Sequence, residues 1–383
     1  MSLGPSDLAD LSRTVELARQ SIGLSEPNPR VGCVLRTASG ALAGEGFTQD
    51  LGGHHAEAMA LRAAEVAGVS LRGGTAWVSL EPCAHHGRTP PCCDALIAAG
   101  LGRVVVALTD PFPQVAGLGM AKLRAAGIRV DLASTCGPVE SAFELNIGYF
   151  SRVIRHRPWV RMKIAASLDG RTALPNGISQ WITGVEARAD GHRWRQRAGA
   201  ILTGIGTVRS DDPRLDVRGL TVAAQPRRVV VDSRLEIALS ARILQPPGQA
   251  LVVCANSATS RSNQLEDQGV EVLTLPGVNG RVDLGNLLTE LAGSKVNELH
   301  VEAGPRLNAA FIDADLVDEL LIYMAPSLMG AGRGMTDLTA LPSLELAPRY
   351  SFGDIQRVGS DLRIVARPVD RALFMSSQIP APH

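Results

Sequence analysis

The fold of the first half of the chain is decided by the stretch HHAEAMAL, residues 54–61, taken together with LEPCAHHGRTPPCC, residues 80–93. His55 and Glu57 lie two residues apart at the predicted start of a helix. Cys83 follows a predicted strand, and Cys92 begins the next predicted helix. A catalytic zinc site uses three protein ligands and leaves the fourth position of a tetrahedron for water. The pattern therefore predicts that His55, Cys83 and Cys92 bind zinc, while Glu57 lies beside the metal as general acid and base.

The order of these residues, H-x-E followed by P-C and a second cysteine, is the order found in zinc-dependent deaminases. An H-x-E pair alone is weak evidence, and buried, unligated cysteines beside a solvated His–Glu pair are the alternative. Eight residues separate Cys83 from Cys92, a longer spacer than the P-C-x-x-C of nucleic-acid deaminases. Cys93 is expected to point away from the metal, because successive helical side chains diverge by about 100°. Cys33 is expected in the core. Three further histidines are spare candidate ligands that we interpret as loop residues: His54, His85 and His86.

The composition is that of an ordinary globular protein of 383 residues, long enough for two or three domains. Lys and Arg number 38, as do Asp and Glu, and this balance argues against binding to nucleic-acid phosphates through net positive charge. No apolar run approaches the roughly 18 residues of a membrane span, and the N-terminus does not resemble a signal peptide. Six cysteines are too few for a disulfide scaffold. These observations predict a cytoplasmic protein whose clustered cysteines hold metal.

Strand-like and helix-like runs alternate over residues 1–150, which predicts a layered α/β domain with a largely parallel sheet. Its first helix spans about residues 8–22, a hairpin turns at Ser39-Gly40, and a helical segment near residues 138–150 closes it. The basic, proline-containing segment 151–160 indicates a linker. A second α/β domain follows at residues 157–383. Its helices are predicted at residues 184–198, 259–268, 283–293 and 305–314.

The second domain lacks the G-x-G-x-x-G fingerprint of a dinucleotide-binding βαβ unit. Two strand–turn–helix segments, AILTGIGT at residues 200–207 and HVEAGPRLNAAF at residues 300–311, instead offer backbone amides that can hold phosphate. A purely structural role for each is equally open. Ser233 and Arg234 follow a buried strand, a position suited to the 2′-phosphate of a nucleotide. Candidates for clamping a substrate phosphate are Arg195, Arg214 and Arg218, although arginines on helices and loops are usually solvated. Polar candidates at a predicted strand end are Lys163, Ser167, Asp169, Ser179 and Trp181.

Nearly the whole chain resembles the bifunctional deaminase–reductase family of riboflavin biosynthesis. The segments that carry the resemblance are PNPRVGCVL, HHAEAMAL, LEPCAHHGRTPPC, DPFPQVAGLG, KIAASLDGRTA, SQWIT, GTVRSDDPRLDVR, VVVDSRL and VEAGPRLNAAF. The long spacer between the two cysteines, unusual for a nucleic-acid deaminase, is typical of this family.

The resemblance implies an N-terminal, cytidine deaminase-like α/β/α layer domain and a C-terminal, dihydrofolate reductase-like α/β domain. The first would remove an amino group from 2,5-diamino-6-(5-phosphoribosylamino)pyrimidin-4-one and release ammonia, with zinc bound by His55, Cys83 and Cys92 and with Glu57 as proton donor. The second would use NADPH to reduce the ribose of the product to a ribityl chain. The implied partner is a small phosphoribosylamino-pyrimidine, with no nucleic acid and no membrane, and a dimer or tetramer is expected.

The resemblance also implies individual contacts. Those to NADPH would come from Ala165, Trp181, Thr207, Asp211, Ser233 and the turn formed by Gly304, Pro305, Arg306, Leu307, Asn308, Ala309 and Ala310. Those to the deaminase substrate would come from Asn28 and Arg88. Those to the reductase substrate would come from Ser179, Arg195, Leu215, Arg218 and Glu302. Lys163 is a hypothesis for a proton transfer.

Three positions depart from the family's pattern. Thr48 stands where the family often has His, Phe112 stands in DPFP where the family has Asn, and Arg306 follows EAGP where a small hydroxylated residue is usual. The first two bear on the deaminase substrate and the third on the cofactor's phosphates. The alternatives are a tRNA or nucleoside deaminase with an unrelated appended domain, a zinc-stabilised binding protein without turnover, and a chain with one inactive domain.

Overall fold

The computed structural model describes residues 3–84, 90–256, 259–371 and Phe374. Within this range the chain divides into two compact units: one runs to Arg155 and includes Phe374, and the other begins at His156. Each unit is built on its own main sheet. Among the described residues, no helix combines the length and the apolar character needed to cross a membrane.

The first unit is a five-stranded sheet flanked by helices. Its strands are β1 (Gly32–Arg36), β2 (Leu42–Phe47), β3 (Thr75–Val78), β4 (Arg103–Val106) and β5 (Arg129–Leu132). Its helices are α1 (Pro5–Arg19), α2 (Ala56–Val66), α3 (Cys92–Ala98), α4 (Leu118–Ala125) and α5 (Gly137–Arg155). The strand order is β2-β1-β3-β4-β5. β1 pairs antiparallel with β2 and β3, whereas β3, β4 and β5 are parallel. The predicted hairpin and the predicted helix–strand alternation are confirmed.

Two glycines of β2 allow helix α2 to lie directly against the sheet. A Cβ atom at Gly44 would lie 2.2 Å from the carbonyl oxygen of Ala60, and one at Gly46 would lie 2.3 Å from that of Ala56. Both alanines are completely buried on the facing side of α2. Because a larger side chain at Gly46 would push away the first turn of α2, these glycines fix the position of His55, the residue that precedes the helix.

The boundary between the two units falls inside the predicted linker, between Arg155 and His156, but the linker is much shorter than predicted. Helix α5 continues to Arg155, and the next strand begins at Trp159. The helix continues because Phe150 and Ser151 are buried in the first unit. The guanidinium of Arg155 lies 5.3 Å from the centre of the Phe374 ring, so a residue expected in a linker packs on an aromatic side chain instead. Two smaller corrections concern ends of elements: the first helix ends at Arg19 instead of near residue 22, and the strand predicted to reach Pro82 ends at Val78.

The second unit contains a nine-stranded sheet and a two-stranded sheet. Its strands are β6 (Trp159–Ser167), β7 (Arg171–Ala173), β8 (Ala200–Gly204), β9 (Arg227–Val231), β10 (Ala250–Cys254), β11 (Glu271–Thr274), β12 (Glu298–Val301), β13 (Glu319–Ala325), β14 (Arg333–Gly334), β15 (Tyr350–Val358) and β16 (Asp361–Pro368). Its helices are α6 (Val185–Gln196), α7 (Ile205–Asp211), α8 (Thr259–Glu266), α9 (Leu284–Gly293) and α10 (Pro305–Asp313). The four predicted helices of this domain are confirmed as α6, α8, α9 and α10.

The large sheet has the order β11-β10-β9-β8-β12-β6-β13-β16-β15. It is parallel from β11 to β13, and β16 and β15 form an antiparallel hairpin at the other edge. The sequence did not predict β11, β15 or β16. Most residues of β15 are exposed, so the strand carries no alternating apolar pattern that would reveal it.

The two faces of this sheet differ because side chains alternate along each strand. One face of β6 contributes Val160 and Met162 to an apolar core that also includes Leu287 and Phe311. On the other face, the completely buried Arg161 donates to Glu298 at 2.6 Å and also pairs with Glu319. A buried layer of ion pairs therefore lies on the face opposite the apolar core.

Candidate active sites

The three predicted zinc ligands come together from the starts of two helices and from the segment that follows a strand. His55 immediately precedes α2, Cys92 is the first residue of α3, and Cys83 lies in the segment after β3. His55 Nδ1 lies 3.6 Å from Cys83 Sγ and 3.3 Å from Cys92 Sγ. The three candidate ligand atoms all lie within 4.8 Å of one another. One nitrogen and two sulfur donors at this separation can share one zinc ion and leave a fourth position open.

Hydrogen bonds prepare Cys83 to be a thiolate. The thiol of Cys92 and the ring of His55 donate to Cys83 Sγ and lower the pKa of Cys83, against the effect of burial. The backbone N–H of Cys92, at the start of α3, also donates to this sulfur at 3.3 Å. The same contact raises the pKa of Cys92, since it holds the proton that the two thiols share. A cation is what allows both sulfurs to lose their protons, so the donor set fits a metal ion.

Glu57 lies one residue into α2 beyond Ala56, with only 3% of its surface exposed. Burial, followed by the nearby charge of Cys83, raises the pKa of Glu57 above its ordinary value. The described ligand cluster consists of His55, Cys83 and Cys92, and Glu57 is not part of it. A buried carboxyl group beside the ligands, with a raised pKa, is suited to take up and release a proton.

The remaining cysteines near the site are structural. The thiol of Cys93 donates to the carbonyl oxygens of Pro82 at 3.3 Å and Gly119 at 3.5 Å, so it points away from the ligand cluster as predicted. Cys33 is completely buried in β1, as predicted. His54 is exposed. The predictions for His85, His86 and Arg88 fall outside the described residues.

A supporting carboxylate was missed at the sequence level. Glu81, buried two residues before Cys83, accepts hydrogen bonds from the backbone N–H groups of Gly117 at 2.9 Å, Met120 at 3.1 Å and Asp110 at 3.3 Å. It therefore ties the segment that carries Cys83 to residues 110–120. The only signal in the sequence is a glutamate before Pro82, and the partners of that glutamate lie 29 to 39 residues further along the chain.

Asp110 is a second buried carboxyl group in this region. Tyr149 Oη donates to Asp110 Oδ1 at 2.9 Å, and the N–H of Phe112 donates to the same oxygen at 2.8 Å. Burial, opposed by these hydrogen bonds, raises the pKa of Asp110 to about 6. Asp110 fixes the backbone at Phe112, one of the three departures from the family's pattern.

The other two residues of interest for the deaminase substrate lie in structured turns. Thr48 is buried, and its Oγ1 accepts the N–H of Val31 at 3.2 Å. The Thr48 side chain therefore links the residue before β1 to the end of β2. It does not offer a substrate the imidazole ring that the family's histidine would provide. Asn28 is half-buried, and its backbone N–H donates to the carbonyl of Ser25 at 2.7 Å.

In the second unit, Glu302 is the centre of a charged cluster at the end of β12. Arg195, from α6, donates to both of its oxygens, at 2.5 Å through Nε and 3.0 Å through Nη2. Lys163 Nζ, from the adjacent strand β6, lies 3.8 Å from Glu302 Oε2. Burial alone would raise the pKa of Glu302, but Arg195 and Lys163 hold it well below its ordinary value. Burial lowers the pKa of Lys163.

Arg218 belongs to the same region. Its backbone N–H donates to His192 Nδ1 at 3.2 Å, and its Nε lies 3.3 Å from Asp216 Oδ1. Arg195 Nη1 donates to the carbonyl oxygen of Asp216 at 3.1 Å. The predicted substrate arginines Arg195 and Arg218 are therefore brought together. Leu215 is buried next to Asp216 with a φ of 49°. Ser179 is half-buried in the segment before α6 and has no side-chain hydrogen bond within the described part of the chain.

The two predicted phosphate turns are neighbours because β8 and β12 are adjacent parallel strands. A Cβ atom at Gly304, before α10, would lie 3.8 Å from Oγ1 of Thr207 in α7. Two helix N-termini therefore open side by side, and such amide groups bind anions. Asn308 Nδ2 donates to the carbonyl of Met335 at 3.0 Å. The Asn308 side chain therefore links helix α10 to the segment that contains Met335. Arg306 is exposed, and its Nε lies 4.0 Å from Asp337 Oδ2.

The remaining predicted cofactor residues lie at several places in the second unit. The Trp181 ring is exposed, with the guanidinium of Arg188 4.5 Å from its centre. Ser233 is half-buried in the turn after β9. The others are Ala165 in β6, Asp211 in α7, and Pro305, Leu307, Ala309 and Ala310 in α10.

The comparisons with known proteins assign each unit. Residues 6–108 match the family model described as the cytidine and deoxycytidylate deaminase zinc-binding region. Residues 158–364 match the family model described as the RibD C-terminal domain. The fold and the sites thus define a class of protein, a zinc-dependent deaminase joined to a reductase.

Similar proteins match over more than nine-tenths of the chain. The riboflavin biosynthesis protein RibD of Escherichia coli is 42% identical over 365 residues, which cover 92% of this chain and 96% of that protein. The structure of Acinetobacter baumannii RibD is 38% identical with a TM-score of 0.85, covering 95% of this chain and 99% of that chain. A Thermotoga maritima structure named as a diaminohydroxyphosphoribosylaminopyrimidine deaminase/5-amino-6-(5-phosphoribosylamino)uracil reductase is 29% identical with a TM-score of 0.84, covering 94% and 98%.

The chain belongs to the RibD family. It is a bifunctional deaminase and reductase of riboflavin biosynthesis, hydrolase in its first unit and oxidoreductase in its second. The cofactors are zinc in the deaminase unit and NADPH in the reductase unit. The predicted fold class, with a cytidine deaminase-like first domain, and the predicted activity are confirmed.

Proposed function

We propose that the first unit removes the amino group from 2,5-diamino-6-(5-phosphoribosylamino)pyrimidin-4-one, and that the second reduces the ribosyl group of the product to a ribityl chain. The observation that carries the proposal is the convergence of His55, Cys83 and Cys92 beside the buried, unligated Glu57. A purely structural zinc site has no use for that carboxyl group. The name of the Thermotoga maritima protein supports the choice of substrate.

Glu57 is the proton carrier of the deamination. Zinc, when bound, supplies a water molecule with a pKa lowered to about 7. Glu57 would accept one proton from the attacking water and donate it to the ring nitrogen next to the amino-bearing carbon. It would then take the second proton from the new hydroxyl group and donate it to the amino group, so that ammonia leaves as the C–N bond breaks. The raised pKa of Glu57 suits this task, because the carboxyl group must hold the proton between the two transfers. Asn28 and Arg88 are proposed to hold the pyrimidine substrate.

In the reductase unit, the proposed role of the protein is to place charge and to orient the substrate. NADPH supplies the hydride, and the open-chain or imine form of the phosphoribosylamine accepts it at the sugar C1′. Arg195 and Arg218 are proposed to hold the 5′-phosphate, while Glu302 orients Arg195. Lys163, with its lowered pKa, is proposed to deliver a proton to the sugar as the ring opens. Ser179 and Leu215 are proposed as further substrate contacts.

The cofactor is proposed to lie across the two neighbouring helix N-termini. Thr207, Gly304 and the first residues of α10, from Pro305 to Ala310, would contact its phosphates, supported by the short separation between Gly304 and Thr207. Asp211 is proposed as a further contact to the cofactor. Ala165 and Trp181 are proposed to contact the cofactor, and Ser233 its adenosine end. Arg306, fully exposed beside the turn, adds positive charge where the family has a small hydroxylated residue.

A coupled assay on the zinc-loaded protein tests the two activities. The diamino substrate is supplied with and without NADPH, and ammonia and NADPH absorbance are followed together. We expect ammonia in both cases and NADPH oxidation only after deamination. Ammonia from free cytidine or tRNA in place of this substrate, or no ammonia at all, would refute the proposed deaminase reaction.

We further propose that the protein is a homodimer that pairs through β15. This strand is nine residues long and lies at the edge of the large sheet, with Phe352 71% exposed and Ile355 52% exposed. A long edge strand with exposed apolar side chains is prone to pair with a second copy. Phe352→Glu is expected to give monomers in light-scattering measurements, whereas Glu345→Gln, at another exposed position, is expected to leave the dimer intact. A wild-type monomer would refute the proposal.

A cytoplasmic location is proposed on chemical grounds. All six cysteines are free, and the zinc ligands must stay reduced to bind metal.

A further inference from the structure

A pair of arginines lies beside the proposed cofactor turns, in a place fixed by the order of the strands. β8 and β9 are adjacent and parallel, with Gly204 paired to Val231. Helix α7, which carries Arg209, follows β8 directly, and Arg234 lies in the turn that follows β9. Both side chains therefore lie at the carboxyl edge of the sheet, where open α/β sheets bind nucleotides.

The turn that carries Arg234 is held at several points. Asp232 is buried, and its Oδ2 accepts the N–H of Ile237 at 2.8 Å, while its carbonyl accepts the N–H of Leu235 at 3.1 Å. The N–H of Ala255, at the end of β10, donates to the carbonyl of Ser233 at 3.1 Å. The backbone from Asp232 to Ile237 is therefore preorganised, and Arg234 projects from a rigid support.

The two arginines converge on one carboxylate. Arg209 Nη2 lies 2.9 Å from Glu236 Oε2, and Arg234 Nε lies 3.1 Å from Glu236 Oε1. The side chains of Arg209 and Arg234 are 56% and 76% exposed, and that of Glu236 is 28% exposed. Two guanidinium groups and one carboxylate leave a net charge of +1. Each guanidinium has five N–H donors, so donors that do not face Glu236 are available to a ligand.

We propose that Arg209 and Arg234 form the subsite that selects NADPH over NADH by binding the 2′-phosphate, and that Glu236 competes with this phosphate. The inference rests on the proposed cofactor position across the turns at Thr207 and Gly304. A phosphate monoester carries about −1.5 to −2 charges at pH 7, more than the carboxylate it displaces. Bidentate guanidinium–phosphate contacts are also among the stronger hydrogen bonds in proteins. Glu236 therefore holds the arginines ready in the free protein and lowers the affinity for the cofactor.

The binding of two nucleotide fragments measures the contribution of the 2′-phosphate by itself. The ligands 2′,5′-ADP and 5′-AMP differ only in this group, and their dissociation constants are measured by calorimetry with the full-length, zinc-loaded protein. Arg209→Ala and Arg234→Ala are each expected to weaken 2′,5′-ADP binding about tenfold, the loss of roughly one charged hydrogen bond. Glu236→Gln is expected to strengthen it several-fold. None of the three changes should alter 5′-AMP binding.

Arg193→Ala is the matched control. Arg193 is also an exposed arginine with an acidic partner, 71% exposed and 3.7 Å from Asp190, and its loss should leave both dissociation constants unchanged. Unchanged 2′,5′-ADP binding in the Arg209 and Arg234 variants, or an equal loss of 5′-AMP binding, would overturn the proposal.

A kinetic measurement separates the failure of this inference from that of the proposed reductase reaction. The ratio of kcat/KM for NADPH to that for NADH is measured with the deaminated substrate. A preserved preference in both arginine variants would overturn the inference while the reductase reaction stands. If the wild-type protein reduces the substrate with neither cofactor, the reductase proposal fails, and the fragment titration still decides whether the arginines bind a 2′-phosphate.

Discussion

At the scale of single residues, Glu57 separates a catalytic zinc site from a structural one. Glu57→Gln keeps the shape of the side chain and removes its ability to carry a proton. Ammonia release is expected to fall by about a hundred-fold or more, because the water and the leaving group lose their proton carrier. Zinc content and NADPH oxidation on pre-deaminated substrate should remain at wild-type levels. Undiminished ammonia release from a zinc-loaded variant would show that another group carries the proton.

The convergence of the proposed zinc ligands could be predicted from the sequence because a short motif encodes it. His55 and Glu57 are held by one helix start, and Cys83 and Cys92 by one loop and the next helix start. Glu81 could not be predicted in the same way, since its role depends on backbone N–H groups at residues 110–120 that only the folded chain brings near. The residues of the candidate zinc site could therefore be recognised in the sequence, whereas the hydrogen bonds that hold this site in place could not.

The buried Glu319 makes the stability of the second unit depend on pH. Burial would raise the pKa of Glu319, but Arg161 and Arg367 lower it from 4.5 to about 2. Because the folded pKa lies below the unfolded one, the stabilisation is fully present above about pH 4.5 and is lost as the pH falls through about 2.

Glu319→Gln tests this dependence. The variant is expected to be less stable at neutral pH by about 3–5 kcal/mol, because Arg161 loses one of its buried partners. Its free energy of unfolding should also change less than that of the wild type between about pH 5 and about pH 2. Denaturant titrations across this range provide the measurement, with the exposed Glu345→Gln as control. Parallel curves for Glu319→Gln and the wild type would contradict the assignment.

At the scale of elements, the packing of α2 against β2 positions His55, a proposed zinc ligand. Gly46→Ala would bring a Cβ atom to 2.3 Å from the carbonyl oxygen of Ala56, so the first turn of α2 must move. The expected cost is about 1–3 kcal/mol, together with weaker zinc binding. Gly137→Ala, with nothing within 4 Å of the new Cβ atom, should change neither property. Chelator competition and thermal unfolding measure the two effects, and normal zinc affinity in Gly46→Ala would refute the placement argument.

Elements with a buried face were predictable, and those without one were not. The parallel strands β8, β9 and β10 are nearly continuous apolar runs, which is the pattern of strands covered on both faces. β15 is mostly exposed and has no such pattern. The error at residues 151–155 has the opposite origin: the charged residues suggested a linker, although Phe150 and Ser151 are buried and hold the end of the helix in the core.

At the scale of the whole molecule, each unit carries a complete set of candidate catalytic residues. The proposed zinc ligands and Glu57 lie before Arg155, and the Glu302 cluster and both proposed phosphate sites lie after His156. The alternation of strands and helices predicted two α/β domains, since alternating elements have few ways to bury their apolar faces. Lys163 and Glu302 are far apart in the sequence and meet because β6 and β12 are neighbours in the sheet. Such contacts depend on the strand order and could not be deduced from spacing alone.

Removal of the metal should therefore separate the two activities. Because the described ligand cluster lies wholly within the first unit, a chelator is expected to abolish ammonia release while NADPH oxidation on pre-deaminated substrate stays within about twofold of the untreated protein. Adding zinc should restore ammonia release, because the sulfur ligands rebind the ion when it returns. The two rates are measured on the same chelated sample, with Glu57→Gln as a control that loses only deamination without losing metal. A chelator that stopped both reactions would show that the reductase depends on the metal-bound state of the first unit.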